Sequence, residues 1–190
     1  MILTSHIIVG GLAAGQTKNY LLAALIGLAT HYILDMIPHW EYPTGEFDRI
    51  LETHELDADR LSFWSDLVKV GLDALFGFTF LIIINHYLSN SLKTGYSLTN
   101  SSYFLASNWP NIVIGGFFGM LPDILQFFYW IKPSEFLKIP YRFPYWIHTK
   151  VKPRFIVGVA TQILTIAITV LIVYYELISK LSFLAGFFKF

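Results

Sequence analysis

The chain has 190 residues, of which 55% are apolar and 14% charged, with a formal net charge of zero and no cysteine. The length suits one domain and the apolar excess departs from soluble globular composition, so residues 1–190 read as a single integral membrane domain. Zero net charge gives no footprint for a nucleic-acid partner, and without cysteine there are no disulfides or thiolate metal sites, which leaves His, Asp, Glu, backbone and water as metal ligands.

Five apolar segments follow one another, and they predict an all-α, multi-pass transmembrane helical bundle of about five membrane segments, the first short. Residues 7–15 form the first, too short to span a bilayer upright. The N-terminus lacks the positive start of a signal peptide, so it is expected to remain as a helix, with Thr4-Ser5 as its cap. The turn Gln16-Thr17-Lys18-Asn19 leads into residues 20–42, YLLAALIGLATHYILDMIPHWEY. This is the central membrane helix of the reading, and it ends at Pro38-His39 because proline lacks a backbone donor. A polar loop is expected over 41–60. The third segment, 61–84, is interrupted by Asp66, Lys69 and Asp73. An Asn- and Ser-rich loop, 85–108, carries the sequon Asn100-Ser101-Ser102. The fourth segment, 111–130, has Pro122-Asp123 near its end. Residues 132–154 are basic, aromatic and proline-broken, as in a segment lying on the membrane surface. The last clear span is 155–175, and the tail 176–190 either continues it or lies in the interface.

Threading these segments back and forth gathers the ionisable residues. His6 begins the first segment, and His31, Asp35 and His39 end the second. Asp66 and Asp73 lie in the first half of the third, Asp123 in the last turns of the fourth, and His148 just before the fifth. All fall at one end of the bundle. Eight Lys and Arg residues (Arg49, Arg60, Lys132, Lys138, Arg142, Lys150, Lys152, Arg154) belong to that end, against four (Lys18, Lys93, Lys180, Lys189) at the other. The positive-inside rule therefore predicts that the site faces the cytoplasm from the cell (inner) membrane. Trp40, Trp64, Trp130 and Trp146 mark the same boundary, where indole rings favour the headgroup level.

Ionisable groups at membrane depth are expensive and seek partners. His31 and Asp35 are four residues apart, about 6 Å along a helix and on nearly one face. They suit one metal ion; they also suit a simple His–Asp hydrogen bond. With His6, Asp123 and His148 expected nearby, the metal reading gains ground. Three protein ligands and an open position describe a catalytic zinc site, and mixed nitrogen and oxygen donors admit manganese. His39, roughly 12 Å beyond His31 along a helix, is a candidate for a second ion or a substrate phosphate, or an ordinary surface histidine. Asp66, Lys69 and Asp73 share a helical face. They form either an internal ion-paired ladder or a set in which an Asp is the general base and Lys69 a phosphate contact. His54 and His86 fall in polar loops and carry no hypothesis.

The early His6 before a Gly-rich helix, the THYILDMIPHW stretch and the later MLPDILQ resemble the YdjM-like predicted membrane-bound metal-dependent hydrolases. That group is thought to be distantly similar to zinc-dependent phospholipases C and their nuclease relatives. The chain departs from typical members in lacking a His-Arg-Gly-x-Thr-His-Ser block. The resemblance implies His6, His31, Asp35 and Asp123, with His148, as ligands of a divalent metal. The expected activity is hydrolysis of a phosphoester of a lipid or lipid-linked molecule, the membrane lipid being both environment and candidate substrate. Two other readings remain open: a transporter whose buried Asp and His residues line a cation path, and a structural protein whose polar residues pair only with each other.

Overall fold

The computed structural model describes residues 2–57, 60–95, 108–151 and 153–187. The sequon at Asn100, and Lys152 and Lys189 of the charge comparison, lie outside them. The described residues form seven helices: α1 (Leu3–Ala14), α2 (Tyr20–Asp35), α3 (Gly45–Thr53), α4 (Leu61–Gly95), α5 (Trp109–Ile131), α6 (Glu135–Ile147) and α7 (Phe155–Phe187). The protein is all-α. Three helices, α4, α5 and α7, are long and apolar enough to cross a membrane, and α1 and α2 are shorter apolar helices. Large apolar side chains such as Leu75 and Phe76 on α4 and Ile156 and Ile163 on α7 face outward. Contiguous exposure of this kind is a liability in water and fits a lipid surround.

α1 is the hub. All but one of its residues are buried, glycines and polar residues included. A helix that is apolar nearly all round belongs inside. It packs against α2, α4, α5 and α7, and Ile7, Ile8 and Leu12 meet Leu81 and Ile112 in the main apolar cluster. Close approach requires glycine at Gly115 and Gly119: a Cβ on Gly119 would stand 2.5 Å from the His6 carbonyl oxygen, and one on Gly115 would stand 2.5 Å from the Gly10 carbonyl oxygen. Because α5 presents almost no side chain here, α1 and α2 lie directly against its backbone.

Contacts along the helices fix their directions. Gly119 and Gly115 of α5 meet His6 and Gly10 of α1 in reverse order. Asn108 at the start of α5 donates to the Gly15 carbonyl at 3.0 Å, and Asn111 donates to the Thr17 carbonyl. α5 therefore runs antiparallel to α1, and its second half returns to the end where α1 begins and α2 finishes.

Several sequence expectations change. Thr4-Ser5 does not cap α1; both residues lie within the helix. The cap is Asp73 of α4, whose Oδ2 accepts from the Leu3 amide at 2.6 Å and whose Oδ1 accepts from the Thr4 hydroxyl at 2.6 Å. A carboxylate at a helix start satisfies orphan amides and favours the macrodipole. The loop expected over 41–60 contains α3, an amphipathic turn that buries Phe47 and Ile50 against Phe63. The loop expected from residue 85 begins later, since α4 runs to Gly95. His86 accordingly lies within α4, and His54 closes α3 in the left-handed conformation at φ 56°. The proline-broken segment forms α6, and the tail continues the last span as α7 to Phe187.

Candidate metal centre

α2 ends at Asp35, so His31 and Asp35 occupy its last turns on the buried face. His6 enters from α1 one turn beyond the Asp73 cap. Asp123 comes from α5, just after Pro122, which sits inside that helix. Proline leaves the carbonyl four residues back without its usual amide donor and loosens the turn. The Gly119 carbonyl in that turn accepts a hydrogen bond from His31 Nδ1 at 2.7 Å.

That contact decides the chemistry of the His31 ring. A carbonyl only accepts, so Nδ1 carries the hydrogen and the neutral ring presents an Nε2 lone pair. His31 Nε2 faces Asp35 Oδ2 at 3.2 Å and Asp123 Oδ1 at 3.9 Å. His6 Nε2 stands 3.4 Å from Asp35 Oδ1. Both His6 ring nitrogens and His31 Nε2 are buried without a hydrogen-bond partner. Ring nitrogens and carboxylate oxygens thus face one another in a buried site, an arrangement that a proton or a bound cation would satisfy. The two imidazoles stack with centroids 4.2 Å apart, which sets two protonated rings against each other. Among the described residues, no Lys or Arg forms an ion pair with Asp35 or Asp123.

Charge-assisted hydrogen bonds draw together to about 2.7–2.9 Å. Donors around a tetrahedral ion at 2.0–2.2 Å instead stand roughly 3.3–3.6 Å apart. The separations of 3.2, 3.4 and 3.9 Å are all longer than the first spacing, and the 3.4 Å pair falls within the second. Ligand atoms of His6, His31 and Asp123 lie within 4.8 Å of one another, as do those of a second group, Asp35, His39 and His148. These buried His/Asp clusters could hold a metal ion. The Gly119 contact adds the outer-shell carbonyl that metal-binding histidines commonly have.

The second group occupies the segment after α2. His39 donates through Nδ1 to the Ile37 carbonyl at 2.7 Å, and His148 through Nδ1 to the Thr149 carbonyl at 3.0 Å. Each ring turns Nε2 to the same oxygen, Glu41 Oε1, at 3.1 Å. These hydrogen bonds hold the Glu41 carboxyl well below the usual carboxylate range, and Glu41 in turn raises the His148 imidazole. Burial, with Asp73 alongside, pushes the Tyr42 phenol up; it donates to Asp73 at 3.4 Å. The segment is fastened from α7, where Thr161 donates to the Pro38 carbonyl at 2.7 Å and Gln162 to the Trp40 carbonyl at 2.6 Å.

The structure brings together His6, His31, Asp35 and Asp123, as expected. His148, expected as a further ligand of that set, stands instead with His39 and Glu41. Sequence reasoning passed over Glu41; its signal was the His-x-Glu spacing after Pro38. Asp66 and Asp73, the candidate general bases, are engaged elsewhere. Asp66 accepts from the Glu46 amide at 2.9 Å, capping α3, and from Lys69 at 2.8 Å. Lys69 also reaches the Pro43 carbonyl, at 3.5 Å, so its ammonium serves this ion pair and the α3 entry. Of the expected ladder, the Asp66–Lys69 pair is present, while Asp73 serves the start of α1 instead.

The fold and site define a class: an all-helical protein with apolar spans and, at one end, buried histidine–carboxylate clusters suited to a cation. No protein-family model, curated protein or solved structure matches the chain.

Proposed function

We propose that the protein is a membrane-embedded, metal-dependent hydrolase acting on a phosphoester of a lipid or lipid-linked molecule. The observation that carries this reading is the His31 Nε2 lone pair, fixed by Gly119 and directed at two carboxylates beside an unpartnered His6. His6, His31, Asp35 and Asp123 would hold a divalent ion, zinc by preference and manganese as the alternative. When bound, such an ion supplies Lewis acidity toward a phosphoryl oxygen and acidifies water.

The chain's own groups then divide the remaining work. Asp35, nearly fully buried, orients both histidines. Asp123 keeps 36% of its side-chain surface, so it is the ligand of this set on the side open to an entering substrate. The Gly10, Gly27 and Gly115 backbones close the bundle beneath the site. The polar Asn108 and Asn111 at the far end are bound to carbonyls of the α1–α2 turn. Both features count against a cation path through the protein. The Lys/Arg excess supports a site toward the cytoplasmic headgroups, and resemblance to the YdjM-like hydrolases supports the same reaction class.

The test is hydrolysis of phospholipid and lipid-linked phosphate substrates in mixed micelles by detergent-purified protein, stripped and then reloaded with zinc or manganese. Metal-dependent phosphate or headgroup release that disappears in Asp123→Asn is expected. Unchanged turnover after stripping, or no turnover with any such ester under full metal loading, would overturn the reading.

A further inference from the structure

We infer that the protein binds a second divalent cation, held by His39, Glu41 and His148 and sharing Asp35 with the first. The inference deepens the proposed metal-dependent function and rests on that reading for its first ion. Nothing in the sequence reading assembled this set, because Glu41 was not in it and His148 was assigned elsewhere.

The geometry repeats that of the first centre. A carbonyl acceptor occupies Nδ1 of His39 and of His148, so each ring turns Nε2 to Glu41, as a lone pair when the ring is neutral and as a donor when it is protonated. Both Nε2 atoms converge on one carboxylate oxygen, 3.1 Å from each. Two rings and a carboxylate can settle this way with two added protons or with one shared cation. Two protons would set adjacent imidazolium rings with centroids 4.9 Å apart. One divalent ion would satisfy both rings and Glu41 together, and an oxygen of Asp35 lies within 4.8 Å of one ring nitrogen of each histidine. His39 is 5% exposed and Asp35 3%, so their polar atoms have little water to turn to. Glu41 stands more open, with 56% of its side chain exposed.

The set is also built to hold its shape. The Thr149 amide donates to the Asp35 carbonyl at 2.8 Å, joining the chain around His148 to the end of α2. Gln162 and Thr161 pin the backbone on either side of His39. A Cβ on Gly158 would stand 2.6 Å from the Trp40 amide nitrogen, so α7 presses directly against this segment. Ligands fixed this way lose little freedom on binding an ion. Two ions held by these residues would supply Lewis acidity toward the attacking and leaving oxygens of a phosphoester.

The experiment is zinc titration of stripped, full-length protein in detergent, read by calorimetry and by elemental analysis after desalting. Wild type is expected to take up two zinc ions per chain. Glu41→Gln and, independently, His148→Ala should each reduce this to one, while His31→Ala retains the ion that Glu41 contacts. One ion in wild type, unchanged in both Glu41→Gln and His148→Ala, overturns the second site and leaves the first. No ion in wild type overturns both. Two ions without hydrolysis of any phosphoester uphold this inference and remove only the hydrolase reading.

Discussion

His31 is anchored on Gly119: its Nδ1 donates to that carbonyl across 2.7 Å, from a helix 88 residues earlier in the chain. The same glycine permits the α1 backbone to approach, since a Cβ there would stand 2.5 Å from the His6 carbonyl oxygen. Gly119→Ala should therefore disturb two ligands while replacing neither. Overpacking costs about 1–3 kcal/mol, and disturbing an outer-shell contact lowers metal affinity about 10–100-fold. Chelator competition should show the loss of affinity, with helical circular dichroism unchanged.

The carboxylates of the first set make a prediction with opposite signs in two conditions. Asp35 and Asp123 stand together against buried imidazoles, so without a cation the two carboxylates carry an electrostatic burden. Asp35→Asn should leave the stripped protein as stable as wild type or more so. Wild type should gain stability on reloading, by about 2.7 kcal/mol when free metal is a hundredfold above its dissociation constant, and Asp35→Asn should gain much less. Thermal unfolding in detergent with and without chelator measures both.

Asp73 tests capping against catalysis. Its two oxygens take the Leu3 amide and the Thr4 hydroxyl at the start of α1. Loss of such a cap costs about 0.5–2 kcal/mol. Asp73→Ala should lower the unfolding temperature with metal stoichiometry retained. Wild-type stability combined with abolished turnover would instead restore Asp73 as the general base.

Acid should loosen α3. Arg49, with Ser62 and Arg60 behind it, holds the Glu46 carboxyl below its ordinary value of 4.5. The unfolded chain takes up this proton before the folded one does. The stabilisation is therefore complete above the ordinary value and is lost as pH falls through the depressed one. Glu46→Gln should flatten that acid limb of the melting curve while leaving neutral-pH metal binding unchanged.

The apolar spans were legible because twenty-odd apolar residues in a row have few alternatives. Alternation of the segments put His6, His31, Asp35 and Asp123 at one end of the bundle with the other candidate His and Asp residues, and the family resemblance singled these four out. Other features depend on contacts that no local pattern reveals. Asp73 reaches α1 across 70 residues, so Thr4-Ser5, the nearer candidate, took the capping role in the sequence reading. α3 is short, and its inward side chains, Phe47 and Ile50, are too few to outweigh the surrounding acids. α6 forms despite Pro140 and Pro144, which count against a helix on propensity alone. Glu41 was hidden by its neighbours: in an acidic stretch, one more glutamate reads as solvated charge until His39 and His148 are seen on either side of it.

The fastening of residues 38–40 by Thr161 and Gln162 has a consequence for biosynthesis. Ribosomes deliver the chain from its N-terminus, so His39 and Glu41 enter the bilayer long before the helix that seats them. A nascent chain therefore carries these side chains without their frame until its closing helix inserts. A product halted before residue 161 would lack the Thr161 and Gln162 contacts that hold the backbone on either side of His39.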